Sequence, residues 1–283
     1  MKVRIGVGGG IGPEALGEVV DALDELGFDS LWLSEVLTAP ILDPLVGLSF
    51  AAAVKPRLKL GTTMLLPGRN TYRVAKELAT LDALSGGRLL ITFVPGLTTS
   101  PERAAIGVEL RQRGGVIDEA MPVLRRLWAG KPVDEFTLAP LPLQKPLEAW
   151  LGGMAPAALE RCGRLGDGWL PSLCTPDEAA SGKQAIDRAA AHAGRAISPE
   201  HFGVSIGYAR APLSDQAVAA IAARSRGHDP RSLVPVGLDG LRGHLKRFID
   251  VGFSKFVVRP LVPPASWREE LAELGSAVLD LQS

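Results

Sequence analysis

Short apolar runs alternate with longer amphipathic stretches along the chain, and this alternation limits its fold more than any other feature. The β-branched run Val3–Val7 leads into a helical pattern from Pro13 to Leu26. Pro13 suits a first helical turn, and Gly27 stops the helix. Ser30–Leu33, Leu58–Leu65 and Arg88–Val94 read as the next three strands, with helical patterns over Pro44–Val54 and Thr71–Leu84 between them. Gly96–Gly114 is irregular and polar and reads as an insertion after strand four. A helix follows over Val116–Trp128, and Lys131–Pro146, with four prolines and no helical period, reads as a loop. Strands over Leu147–Leu151, Gly168–Leu173, Phe202–Ala209 and Lys255–Val258 complete the set. Helical patterns follow at Pro156–Leu165, Pro176–Ala193, Ser214–Arg224, Leu238–Val251 and Trp267–Leu281.

Eight strands, each followed by at least one helix, predict a parallel sheet. Eight units within 283 residues favour an α/β fold of one domain, a single (β/α)8 TIM barrel over residues 1–283 with an insertion after strand 4. No G-x-G-x-x-G follows a strand with an acidic residue beyond it, so the dinucleotide-binding open sheet lacks its main support. The functional site of such a barrel lies at the C-terminal strand ends. Those ends are Gly8–Gly10, Ser34-Glu35, Thr63–Leu66, Val94–Gly96, Gly152–Met154, Ser172–Thr175, Tyr208-Ala209 and Arg259-Pro260.

Charge and cysteine content narrow the partners. Lys+Arg and Asp+Glu are equal at 31 each, so no basic face advertises nucleic acid or an anionic membrane. No run approaches the roughly 18 apolar residues that span a bilayer, and the first residues read straight into a strand. Cys162 and Cys174 have neither metal-site spacing nor the density of a secreted scaffold. A cytoplasmic protein without bound metal is expected. His192, His201, His228 and His244 are expected at the surface, and Trp169 in the core.

Within "AWLGGMAPAALERCGRLGDGWLP", Gly152 and Gly153 stand between a strand and the first turn of a helix. Two readings are open: a tight turn that uses glycine's freedom in φ, or a cradle in which the N–H groups of Gly153, Met154 and Ala155 meet a phosphate.

Four stretches carry a family resemblance. They are "LGFDSLWLSE", the long "RLKLGTTMLLPGRNTYRVAKELATLDALSGGRLLITFVPG", "RGGVIDEAMPVLRRLWAG" and "PLEAWLGGMAPAALERCGRLGDGWLP". In their order and spacing the chain resembles the bacterial luciferase-like monooxygenase superfamily of flavin- and deazaflavin-dependent oxidoreductases. The resemblance implies a (β/α)8 barrel with coenzyme F420, or alternatively FMN, in its mouth. It further implies a cofactor phosphate beside strand five, a small-molecule substrate and a homodimer.

Carried over residue by residue, it implies cofactor contacts from Thr62, Thr63, Met64, Gly96, Gly152, Gly153, Met154, Ala155, Cys174 and Thr175. A non-prolyl cis bond with a bulge is implied at Thr63-Met64. Thr175 has a second reading, as cap of the helix that begins at Pro176. Glu35 is the candidate catalytic residue. It stands beside Ser34 where many relatives have Asp-His, and it is either a general acid or base or a structural partner of an arginine at the rim. Arg69, Arg73 and Arg103 either meet an acidic cofactor tail or solvate that rim. Thr92 and Val94 occupy positions where the family usually has glycines, and Pro95 precedes Gly96, so the mouth is expected to be narrowed there. Thr71 and Asn70 also depart from the family's proline and histidine. These departures motivate a second function, a barrel without redox chemistry that binds or scaffolds. A third is a lyase or isomerase for a phosphorylated substrate.

Overall fold

The apolar runs become parallel strands. The computed structural model describes residues 1–96 and 102–283. Its strands are β1 (Arg4–Gly8), β2 (Ser30–Ser34), β3 (Lys59–Leu65), β4 (Leu89–Val94), β5 (Ala149–Leu151), β6 (Gly203–Tyr208) and β7 (Lys255–Pro260). The helices are α1 (Leu16–Leu26), α2 (Pro44–Val54), α3 (Thr71–Leu84), α4 (Glu102–Ala105), α5 (Arg113–Trp128), α6 (Pro156–Leu165), α7 (Pro176–His192), α8 (Asp215–Ala222), α9 (Pro230–Leu233), α10 (Gly237–Asp250) and α11 (Trp267–Val278). The seven strands form one curled parallel sheet in the order β5-β4-β3-β2-β1-β7-β6. Parallel neighbours need long crossovers, and the helices supply them.

Strand alternation sorts the two faces. Leu31 and Leu33 of β2, Leu60 and Met64 of β3, and Ile91 and Phe93 of β4 join the main core with the helices. One position out of phase, Trp32, Leu90, Trp150, Leu170 and Val257 form a separate cluster on the concave face. The Trp32 indole lies across β3 so closely that a Cβ on Gly61 would overlap its ring. Glycine is required there by the indole.

β5 and β6 end the strand order without pairing with each other. Residues 167–171 lie between them. Leu151 donates to Gly168 O (3.0 Å) and Leu170 to Leu151 O (3.1 Å) on one side. Trp169 donates to His201 O, Gly203 to Trp169 O and Ser205 to Pro171 O, each at 2.9 Å, on the other. The strand expected over Gly168–Leu173 is therefore corrected to a series of parallel bridges, Leu151↔Trp169, Trp169↔Phe202 and Ser172↔Ser205. Pro171 has no N–H for a ladder, and Leu173 turns out of the strand with φ 50°.

Two further expectations need correction. The Thr63-Met64 bond is not cis, since the cis bonds of the described residues are Ala139-Pro140 and Lys145-Pro146. Nor does β3 bulge. Its register runs unbroken against β4 from Leu60↔Leu89 to Leu65↔Val94, and pairing on both edges holds it extended. His244 is not at the surface. It is buried on α10, with its ring 5.2 Å from that of Phe248. Trp169 is fully buried, as expected.

Of the expected insertion, residues 97–101 lie outside the described residues. Beyond them come α4, a short 3-10 turn at Leu110–Gln112, and α5. Buried Arg113 ties this segment together by donating to the carbonyls of Pro95, Arg103 and Val108. Lys131–Pro146 is a loop, as expected. It is anchored by buried Asp82, which accepts from the N–H groups of Leu143 and Gln144.

Candidate active site

The C-terminal strand ends converge at one pole, and the conformation of each end decides which groups face the space beyond. Glu35 follows β2. Its N–H donates to Thr63 O (2.8 Å), and its carboxylate takes the Leu65 N–H at 2.8 Å and Arg69 Nη2 at 2.6 Å. The carboxylate is only 7% exposed. Arg69 is therefore a partner of Glu35, not a merely solvated rim residue. Thr63 faces the concave side between Ser34 and Thr92. Thr62 and Met64 are fully buried in the opposite phase, with Leu60, and so face the helices.

The β4 end is narrow. Thr92 is fully buried, and its hydroxyl has no partner among the described residues. A Cβ on Gly152 would lie 2.7 Å from Val94 Cγ1, so Val94 fills the space above that glycine. Gly96, at φ 85°, packs beneath Ile106 and Arg113.

Beyond β5 the backbone opens. Gly153 adopts φ 110°, a left-handed value that favours glycine. Its carbonyl accepts from Trp169 Nε1 at 2.9 Å, which ties the turn to the core. Among the described residues, the N–H groups of Gly153, Met154 and Ala155 donate to no protein acceptor. Pro156 then begins α6, and Ala155 provides no side-chain cap. Three N–H groups thus stand at the positive end of a helix, an arrangement suited to an anion.

Cys174 and Thr175 are committed to the fold. Burial pushes the Cys174 thiol up to about 12, so it stays protonated and un-nucleophilic. Thr175 Oγ1 accepts from Glu178 N (3.1 Å), and Glu178 Oε2 accepts from Thr175 N (2.9 Å), a reciprocal cap on α7.

Two groups at this pole have no role in the sequence reading. Arg259, next to last in β7, is in phase with inward-facing Val257. Glu102 of α4 is 2% exposed. Its Oε1 accepts from Leu37 N at 3.0 Å, while among the described residues its Oε2 has no partner. The position of Arg259 at a strand end was the available signal. Nothing in the spacing marked Glu102.

The opposite pole holds a different cluster. A cavity of about 310 Å³ there is lined by Arg4, Lys59, Lys255, Trp32, Trp150 and His201 among others. Asp29 binds Lys59 at 2.9 Å and Lys255, and has Arg4 at 3.6 Å. In barrels and open α/β sheets the chemistry lies beyond the C-terminal strand ends, so this pole reads as one of stability. Among the described residues no cluster of His, Cys, Asp or Glu could hold a metal ion, and no helix is long and apolar enough to cross a membrane.

The chain is 28% identical over 192 residues to an F420-dependent glucose-6-phosphate dehydrogenase of Nakamurella multipartita, covering 58% of this chain and 55% of that protein. It is 29% identical over 200 residues to limonene 1,2-monooxygenase of Rhodococcus erythropolis, covering 61% and 51%. The chain thus spans about half the length of these relatives. Among solved structures, an F420-dependent secondary alcohol dehydrogenase in complex with an F420-acetone adduct superposes with a TM-score of 0.81 over the whole of both chains, at 19% identity. A monooxygenase from Streptomyces bottropensis does so with a TM-score of 0.78 over 98% and 99%, at 21% identity. At these identities the likeness is one of fold. The model for luciferase-like monooxygenases matches residues 2–247, and the chain belongs to that family of flavin- and deazaflavin-dependent oxidoreductases and monooxygenases.

Proposed function

We propose that residues 1–283 form one (β/α)8 barrel, with 167–171 as its remaining strand position, and that its mouth binds coenzyme F420, or alternatively FMN, for redox chemistry on a small organic substrate. The observation that carries this reading is the unpaired N–H row of Gly153, Met154 and Ala155 at the start of α6. It matches in kind and charge the phosphate that both cofactors carry. Thr63, on the concave face, is the contact assigned to the ring end, and Gly153, at φ 110°, lets the backbone approach. When bound, such a cofactor supplies hydride transfer or oxygen activation, and the protein supplies position and electrostatics. The F420-dependent names among the relatives favour the deazaflavin. A cytoplasmic location and a homodimer go with this reading.

Glu35 has two roles open to it. Its ion pair with Arg69 supports a positioning role, in which the end of β2 is latched to the loop after β3. A role as general acid or base requires Arg69 to release it.

The test is a titration of the purified chain with coenzyme F420 and with FMN, followed by absorbance and fluorescence. Saturable binding of one of them supports the reading. A folded protein that binds neither overturns it and leaves the second reading, a barrel without redox chemistry. That alternative draws on Val94 filling the space over Gly152.

A further inference from the structure

Arg259 stands in phase with Val257, so its side chain enters the lumen one layer nearer the C-terminal pole. Its guanidinium carbon lies 3.6 Å from the place a Cβ would take on Gly207, at the end of β6. β6 and residues 167–171 separate it from the Gly153–Ala155 turn.

Three other inward or rim cations have acids. Lys255 has Asp29, Arg69 has Glu35, and Arg210 has Glu270 at 2.9 Å. Among the described residues Arg259 has neither a hydrogen bond nor an ion pair. It is only partly exposed, and burial, followed by the charge of Arg224, lowers its pKa to about 10. It therefore keeps its proton at neutral pH, and the fold bears the cost of a desolvated charge. Among the described residues, Arg224 is a second guanidinium without an ion pair. Glu102 acts on Arg224 through its charge but forms no ion pair with it. Two cations and one acid leave this side of the mouth positive.

We propose that Arg259, assisted by Arg224, binds an oxyanion of the substrate, a carboxylate or a phosphate. The proposal rests on the oxidoreductase reading only for the word substrate. A guanidinium fork matches both groups in shape and charge, and the oxyanion supplies the counter-charge that the fold withholds. The site is separate from the cofactor-phosphate turn, so one anion can occupy each.

Inorganic phosphate is the probe, and the readout is Tm of the full chain at constant ionic strength. Wild type and Gly153→Asp should both gain Tm with phosphate. Arg259→Met made in the Gly153→Asp chain, where the turn no longer offers an anion site, should lose that gain, and Arg224→Gln in the same chain should weaken the apparent affinity by about threefold. Without phosphate, Arg259→Met should melt at or above wild type, because an unpaired buried charge has been removed. Its affinity for FMN and for coenzyme F420 should stay within about twofold of wild type. An undiminished phosphate response in Gly153→Asp with Arg259→Met overturns the proposal. A tenfold loss of cofactor affinity in Arg259→Met alone also overturns it, and assigns the arginine to the cofactor's own acidic groups. If Gly153→Asp with Arg259→Met does not fold, Gly153→Asp with Arg224→Gln decides, and an unchanged phosphate response there overturns the proposal. A wild type that binds neither cofactor but keeps the Arg259-dependent response sinks the oxidoreductase reading and supports this one.

Discussion

The Glu35 carboxylate holds Arg69 at 2.6 Å with one oxygen and the Leu65 N–H at 2.8 Å with the other. One side chain thereby joins the end of β2 to the end of β3 and the loop beyond it. Glu35→Gln should keep the Leu65 bond and lose the charge, at a cost of about 1–3 kcal/mol. A double-mutant cycle with Arg69→Met in urea should return a coupling of about 1 kcal/mol or more. A coupling near zero would show that the latch contributes nothing.

Asp29 is the counter-charge of three cations at the other pole. Lys59 and Arg4 are 43% and 34% exposed, so solvent screens them, while Lys255 is 9% exposed and depends on Asp29 most. Asp29→Asn should cost about 3–5 kcal/mol, the usual result of stranding a buried charge. Asp29→Asn with Lys255→Met should recover part of that loss in chemical denaturation. No recovery would move the penalty elsewhere.

His244 gives the chain a pH dependence of defined sign. Burial, then the charge of Arg247, pushes its pKa down to about 4. An unfolded chain takes a proton on this ring near pH 6.5, roughly the free value. Its contribution is fully present above that pH and is lost as pH falls toward 4, up to about 3 kcal/mol. Stability measured at pH 7 and 4.5 should differ less in His244→Leu than in wild type. An equal difference in both would refute the assignment.

Gly153→Asp places a carboxylate beside three N–H groups and forces an L side chain onto φ 110°. We expect cofactor affinity to fall by about tenfold or more, read by the same FMN and F420 titrations. Retained affinity would remove the turn from the phosphate site.

Gly61→Ala should destabilise by about 1–3 kcal/mol, because its methyl would overlap the Trp32 indole. Trp32→Leu in the same chain should relieve the loss, and Tm reports both. Additive losses would mean that the two do not meet.

Most of the strand–helix alternation was legible in the sequence, because period and punctuation are local properties. β3, α3 and α6 begin and end within a residue or two of where apolar spacing, Ser85 and Pro156 put them. The strand after β5 was only partly legible. Pro171 and Leu173 break its ladder while its bonds to both neighbours survive. The buried state of His244 was hidden, since its helix shows which face is apolar but not how deeply a neighbour covers it.

The sequence by itself determined the parallel α/β architecture, the family and the Gly152–Ala155 turn, all carried by the order of residues along the chain. Tertiary structure decided what each strand-end group faces. It turned Thr62 and Met64 toward the helices, gave Glu35 to Arg69, committed Thr175 to a cap and left Arg259 without an acid. These outcomes depend on partners brought together from distant segments, and charge pairing and burial are properties of that assembly rather than of any one stretch.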